Sequence, residues 1–275
     1  MMRLRATRKS TRRCQKCGGF GHSSRSCMKG GAADTTALLV IDFQKDFCPK
    51  SDVNPDGGRL GVAGADKILD EVKKLQALAK GWKLRIATQD WHPRDHVSFL
   101  SNNKGPFIEL PSGLKLATLN HDGHDFIQAM WPNHCIQPDK AEDNEKGGVE
   151  FFPGFDTTGY EIIHKGTIRE VDSYSGFGDA LSPKGQPKKY EDTKLKETLD
   201  KNGIKHVVVC GIATDYCVAA TCMDAIAYGY QVTLVLKASA GVADETIAKA
   251  LAEMQTAGVN IVENSTKVTD EENMA

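Results

Sequence analysis

The chain is predicted to fold as an α/β protein, three layers deep (α/β/α), around a mainly parallel sheet of about six strands, with a small appendage at its N-terminus. Three observations support this. From Thr36 onward, apolar runs of strand length alternate with amphipathic segments of helix length. That alternation builds a parallel sheet covered by helices on both faces. A length of 275 residues also suits one domain with a full core rather than two comparable ones.

The strands are expected at Thr36 to Asp42, Lys83 to Thr88, Glu161 to Lys165, Lys205 to Ile212, Gln231 to Lys237 and Val259 to Glu263, where the apolar runs fall. Helical spacing marks Ala65 to Lys80, Glu191 to Asn202, Asp215 to Tyr228 and Ala243 to Ala257. The interval Pro93 to Pro153 is rich in Gly, Pro, Asn and Asp with little periodicity, so it reads as long loops. Loops of that length in a compact domain usually build a site. Residues 1–33 read as a basic arm, 34–266 as the α/β domain and 267–275 as a flexible tail.

The net charge of −1 conceals an asymmetry, because residues 1–33 hold nine Lys/Arg and no Asp/Glu, leaving 26 basic against 36 acidic residues in the body. A basic, acid-free start suits nucleic acid, an anionic surface or an import receptor. No apolar stretch is long enough to cross a bilayer and no secretory core follows the basic start, so a protein without a membrane partner is expected. The eight cysteines lack the density of a disulfide scaffold, which favours a reducing compartment. The expected location is the cytoplasm, with the nucleus and organellar import open.

Chemistry concentrates past the strand ends. In an open parallel sheet, ligands bind beyond the carboxyl ends of strands. Asp42 ends the first strand, Asp90 follows the second, Lys165 ends the third, and Cys217 follows the fourth at a strand-to-helix turn. A thiol at such a turn is expected to have a lowered pKa. Asp42 is a base for Cys217, and Lys165 a stabiliser of the resulting charge. The plain alternative is an apolar filler at Cys217, a turn cap at Asp42 and a surface ion pair at Lys165.

Within Thr88-Gln-Asp90-Trp-His92-Pro-Arg-Asp-His96-Val-Ser-Phe99, a carboxylate and two imidazoles lie close together, and Trp131-Pro-Asn-His134-Cys135 offers a third imidazole. Such donors suit Zn²⁺, Fe²⁺ or Mn²⁺. His121 and His124 are rival ligands, while His164 and His206 read as ordinary local hydrogen-bonders.

Five segments together resemble the nicotinamidase/pyrazinamidase branch of the isochorismatase-like cysteine hydrolases: Val40 to Phe47, Gln89 to Phe99, Trp131 to Cys135, His164 through Phe177, and Gly211 to Val218. The resemblance implies hydrolysis of nicotinamide to nicotinate and ammonia in NAD salvage. It implies Cys217 as nucleophile, Asp42 as proton shuttle and Lys165 as their cationic partner. The N–H groups of Ala213 and Cys217 would face the oxyanion, after a cis peptide between Ile212 and Ala213. An active-site divalent metal, Zn²⁺ by first expectation, would be held by Asp90, His92 and His134, with His96 as a candidate further ligand. Phe47, Trp131 and Tyr174 match positions lining the aromatic slot. Related isochorismatases lack the nucleophilic cysteine, and carbamoyl-sarcosine and ureidoacrylate amidohydrolases lack this metal pair. Lys237 departs from the acidic residue expected in many relatives. Other small carboxamides remain an alternative substrate class, and an oligomer is open.

In the arm, Cys14-x2-Cys17-x4-His22-x4-Cys27 resembles a CCHC zinc knuckle, implying a structural Zn²⁺. Knuckles commonly grip single-stranded nucleic acid; the neighbouring arginines and Phe20 fit that use, whereas Gln15 stands where many carry an aromatic. A protein partner is the alternative. The chain therefore reads first as an amidohydrolase and second as a nucleic-acid-associated protein.

Overall fold

The computed structural model describes residues 35–78, 81–142, 145 and 147–269. The predicted knuckle ligands Cys14, Cys17, His22 and Cys27 lie outside these residues.

Six strands form a wholly parallel sheet. In chain order, β1 (Thr36–Ile41) and β2 (Leu84–Asp90) belong to it. The next three strands, β3 (Phe107–Glu109), β4 (Lys115–His121) and β5 (His124–Met130), form a separate antiparallel sheet. The parallel sheet resumes with β6 (Glu161–Lys165), β7 (His206–Ile212), β8 (Gln231–Ala240) and β9 (Asn260–Val262). Its spatial order is β6-β2-β1-β7-β8-β9. The chain adds strands on one side of β1, then crosses to the other. The crevice at this reversal lies beyond the carboxyl ends of β1 and β7, where an open sheet binds ligands.

All six side chains of β1 are buried because both faces of the sheet are covered. Leu38 and Val40 pack with Val72 and Leu75 of α1 (Leu69–Gln76), whereas Ala37, Leu39 and Ile41 pack on the opposite face. That second face is closed by α2 (Leu195–Lys201), α3 (Ala219–Ala227) and α4 (Asp244–Thr256), through Leu195, Leu199, Cys222 and Met254. Strand residues alternate between faces, so a continuous apolar run feeds two cores at once.

The elements differ from the expectations mainly at their ends. The segment from Ala65 opens with a 3₁₀ turn, Ala65–Ile68, before α1 begins. Lys194 has φ of 69°, so α2 starts only after it. Before α3 comes a π-helical turn, Thr214–Val218, which carries Cys217. The larger difference is the antiparallel sheet inside the expected loop interval. Asp122 and Gly123 both have positive φ and turn the β4–β5 hairpin, with His121 paired to His124. An Asp-Gly pair at a two-residue turn is a strong hairpin signal. His121 and His124 thus belong to a hairpin end and join none of the buried metal-ligand clusters among the described residues.

Candidate active site

Asp42 leaves β1 with φ of 46°, a left-handed conformation that aspartate tolerates better than most side chains. Its backbone N–H donates to Thr88 Oγ1 at 3.1 Å, and the Thr88 hydroxyl donates to Asp42 Oδ1 at 2.5 Å. Asp42 Oδ2 lies 2.9 Å from Lys165 Nζ without an aligned hydrogen bond among the described residues. This oxygen is therefore the one open to a thiol proton.

Lys165 ends β6 fully buried. Its ammonium donates to Asp90 Oδ1, to the Ser173 carbonyl at 2.9 Å and to Cys217 Sγ at 3.4 Å. Burial opposes the charge, but Asp42 and Asp90 outweigh it and raise the Lys165 pKa well above its usual value. At Asp90 burial is the largest single influence, but the Lys165 ammonium, His92 and His134 together overcome it and hold the carboxyl well below the usual range. Burial dominates at Asp42 and raises its pKa, which suits a proton acceptor.

Cys217 corrects one expectation. Its thiol pKa is raised well above the ordinary value, since burial outweighs the stabilising ammonium. Cys217 is only 7 % exposed, and removing water from a thiolate costs more than one shared lysine returns. A group held as a thiol would need a base beside it to act as a nucleophile. Asp42, Asp90 and Cys217 present their ligand atoms within 4.8 Å of one another.

Beside this triad, Asp90, His92 and His134 form a buried cluster whose ligand atoms also lie within 4.8 Å. Asp90 Oδ2 is 3.5 Å from His92 Nε2 and 3.8 Å from His134 Nε2. The two other ring nitrogens face backbone carbonyls, His92 Nδ1 at 2.8 Å from Gly166 and His134 Nδ1 at 2.7 Å from Pro132. Donation from both Nδ1 atoms leaves both Nε2 lone pairs turned toward the carboxylate. Metal-ligating histidines are oriented in this way, so the donor set fits a divalent ion.

His96 stands apart from that trio. It stacks on His92 with ring centroids 4.2 Å apart, and its nitrogens face Ser98 Oγ at 2.8 Å and the Val171 carbonyl at 3.3 Å. Burial pushes its pKa down to about 3, so it is a neutral support behind His92. Its ligand atom groups instead with His92 and Asp172.

The cleft over these groups is lined by Phe47, Trp131, Tyr174, Ala213 and Cys217 as well as the metal-type trio. The Ile212–Ala213 peptide is cis. Trp131 Nε1 donates to Tyr174 Oη at 3.1 Å, tying one aromatic wall together. Tyr216, the residue before Cys217, packs edge-on against Trp131 with centroids 5.0 Å apart. Lys237 instead pairs with Glu263 at 3.2 Å on an exposed surface outside the cleft lining.

Sequence reasoning missed several supporting residues. Thr88 stands two residues before Asp90 and meets Asp42 because β1 and β2 pair in register. That proximity follows from strand order alone. Asp46 accepts from the Cys135 N–H at 2.7 Å, fixing the residue after His134 across 89 positions of sequence, for which no local signal exists. Gln128, on β5, donates to Asp172 Oδ2 at 2.8 Å, joining the antiparallel sheet to the cleft.

The isochorismatase-domain family profile matches residues 36–266. The chain belongs to the isochorismatase family. Among curated relatives, the nicotinamidase of Acinetobacter baylyi is 35 % identical over 233 residues, covering 82 % of this chain and 92 % of its own length. Among solved structures, a yeast nicotinamidase bound to the inhibitor nicotinaldehyde is similar with a TM-score of 0.68 and 26 % identity, covering 83 % of this chain and 100 % of that one. A Pyrococcus horikoshii pyrazinamidase in complex with zinc has a TM-score of 0.60 and 32 % identity, covering 83 % and 99 %. The family match thus spans the whole α/β body of this isochorismatase-family chain.

Proposed function

We propose that the chain is a nicotinamidase, hydrolysing nicotinamide to nicotinate and ammonia and so feeding pyridine nucleotide salvage. The observation that carries this reading is the convergence of Cys217, Asp42 and Lys165 with a buried Asp90, His92 and His134 cluster in one largely aromatic cleft. Nicotinamide has the two matching features, an acyl carbon for the thiol and a ring nitrogen for the metal-type cluster.

Cys217 attacks the carboxamide carbon as Asp42 accepts the thiol proton, which avoids a free thiolate in a buried site. The oxyanion is received by the N–H groups of Ala213 and Cys217, donors fixed on the turn after β7. Asp42 passes its proton to the departing ammonia, leaving a nicotinoyl thioester on Cys217. Water, deprotonated by Asp42, then releases nicotinate and restores the thiol. Lys165 holds Asp42 and steadies the sulfur through both halves. Asp90, His92 and His134 would hold a divalent ion, zinc by first choice, and His96 would support His92. When bound, that ion supplies a Lewis-acidic contact for the pyridine nitrogen, directly or through water. Phe47, Trp131 and Tyr174 would clasp the ring faces.

For the arm, we propose that Cys14, Cys17, His22 and Cys27 hold a structural zinc and that the basic segment around them binds single-stranded nucleic acid. Salt-sensitive binding of single-stranded RNA, lost on deleting residues 1–33, is the expected result.

The deciding assay for the enzyme is ammonia release from nicotinamide, pyrazinamide, carbamoyl compounds and isochorismate, with parent and Cys217→Ala compared. Turnover of nicotinamide by the parent alone is expected. Equal release by the variant would remove Cys217 as nucleophile.

A further inference from the structure

We infer that Glu191 is a positioning residue that sets both the Lys165 ammonium and the His92 imidazole, so that one buried carboxylate couples the triad to the metal-type cluster. The inference rests on the catalytic reading above.

Glu191 lies just before α2, 6 % exposed and 25 positions after Gly166. Its Oε2 accepts the Gly166 N–H at 2.8 Å and the Ser173 hydroxyl. Its Oε1 accepts the Thr167 N–H at 2.7 Å and the Thr167 hydroxyl at 2.5 Å. Both oxygens are thus filled by donors from the two segments that flank the site, and no cation takes part in these bonds.

Each anchored segment carries a carbonyl that the site uses. The Gly166 carbonyl faces His92 Nδ1 at 2.8 Å, and the Ser173 carbonyl accepts from Lys165 Nζ at 2.9 Å. Gly166 has φ of 64°, so the backbone turns sharply at the point that Glu191 grips. The carboxylate therefore stands one step behind both chemistries. A purely structural anchor has no reason to hold the two carbonyls that orient a catalytic ammonium and a metal-type imidazole.

The change Glu191→Gln keeps the shape but turns one oxygen into an amide NH₂. Either choice points that NH₂ at a backbone N–H, so one anchor is repelled. The change Ser173→Ala removes only the link toward Lys165.

The test uses the full chain of the parent and both variants. Mn²⁺ binding is titrated by electron paramagnetic resonance, because a thiolate-rich knuckle disfavours that ion. Alkylation of Cys217 by iodoacetamide is followed by peptide mass spectrometry at one pH. Glu191→Gln is expected to weaken Mn²⁺ binding about tenfold, as losing an outer-shell partner typically does, and to slow Cys217 alkylation. Ser173→Ala is expected to slow alkylation while leaving Mn²⁺ affinity unchanged. Far-UV circular dichroism checks that the variants fold. If a folded Glu191→Gln protein keeps both parental values, or if Glu191→Gln fails to fold and Ser173→Ala alkylates at the parental rate, the assignment is overturned. Neither readout uses nicotinamide turnover, so a parent that binds Mn²⁺ but releases no ammonia refutes the substrate reading alone.

Discussion

Replacing Lys165 with Met removes a buried cation from between two buried carboxylates. Met has nearly the length of the lysine stem, so the packing of β6 changes little, and the loss is electrostatic. The ammonium contacts Asp42 Oδ2 at 2.9 Å, Asp90 Oδ1, the Ser173 carbonyl at 2.9 Å and Cys217 Sγ at 3.4 Å. Removing one member of a buried ionic group costs about 3–5 kcal/mol, since the partners stay buried without compensation. At 1.36 kcal/mol per factor of ten, the folding equilibrium falls by roughly 10²–10⁴ at neutral pH. The sign of the pH dependence follows from Asp90, whose folded pKa in the parent lies well below the ordinary one. That carboxylate contributes stability above its unfolded pKa, about 4, and loses it as pH falls through the folded value. In Lys165→Met the buried carboxylates bind protons more readily when folded, so the variant recovers as pH falls. Urea unfolding of both proteins at pH 7.5 and at pH 5 tests this. The stability gap should be wide at pH 7.5 and narrower at pH 5, with ammonia release abolished. A gap below about 1 kcal/mol, or one that widens in acid, would refute the reasoning.

Three further outcomes are expected. In Gly166→Ala the new Cβ would lie 2.4 Å from His92 Cε1 and 2.6 Å from Nδ1, at a backbone φ of +64°; the ring must shift, and Mn²⁺ affinity should drop about tenfold or more in the same resonance titration. Asp46→Asn turns one acceptor of the Asp46 carboxylate, which holds the Cys135 and Arg59 N–H groups, into a donor; unfolding should show a loss of about 1–3 kcal/mol. Glu71 accepts from the Ser265 N–H and hydroxyl, both at 2.6 Å, and from Lys74 at 2.9 Å, and against the opposing burial these partners together lower its pKa. Glu71→Gln should therefore cost about 1–2 kcal/mol at pH 7, and the cost should fade as pH falls below the unfolded glutamate pKa, about 4, and through the lower folded one; a constant difference from pH 7 to about pH 3 would count against it.

The parallel sheet was legible because its strands are buried on two faces and read as unbroken apolar runs, as in His206–Ile212. The strand-end rule then grouped Asp42, Asp90, Lys165 and Cys217 with no knowledge of distance. The antiparallel sheet was hidden because its strands are short, partly exposed and polar, and its Asp122-Gly123 turn sits in an interval whose Gly, Pro, Asn and Asp content reads as loop. The thiol's raised pKa was also illegible, since position near a helix start says nothing about how completely Cys217 is dehydrated. Glu191 and Asp46 act across 25 and 89 positions of sequence, and only packing brings their acceptors to the site.

The β3–β5 insertion lies between His92 and His134 in the chain; His92 is anchored outside it, on the Gly166 carbonyl past β6, and His134 just past its end, on the Pro132 carbonyl. It reaches the cleft through Gln128 and through Trp131, the residue after β5. Lineages could therefore remodel this excursion, changing which ring shapes are admitted, while the reactive groups keep their footing on the parallel sheet. Selectivity and reactivity would then be inherited as separable traits of one polypeptide.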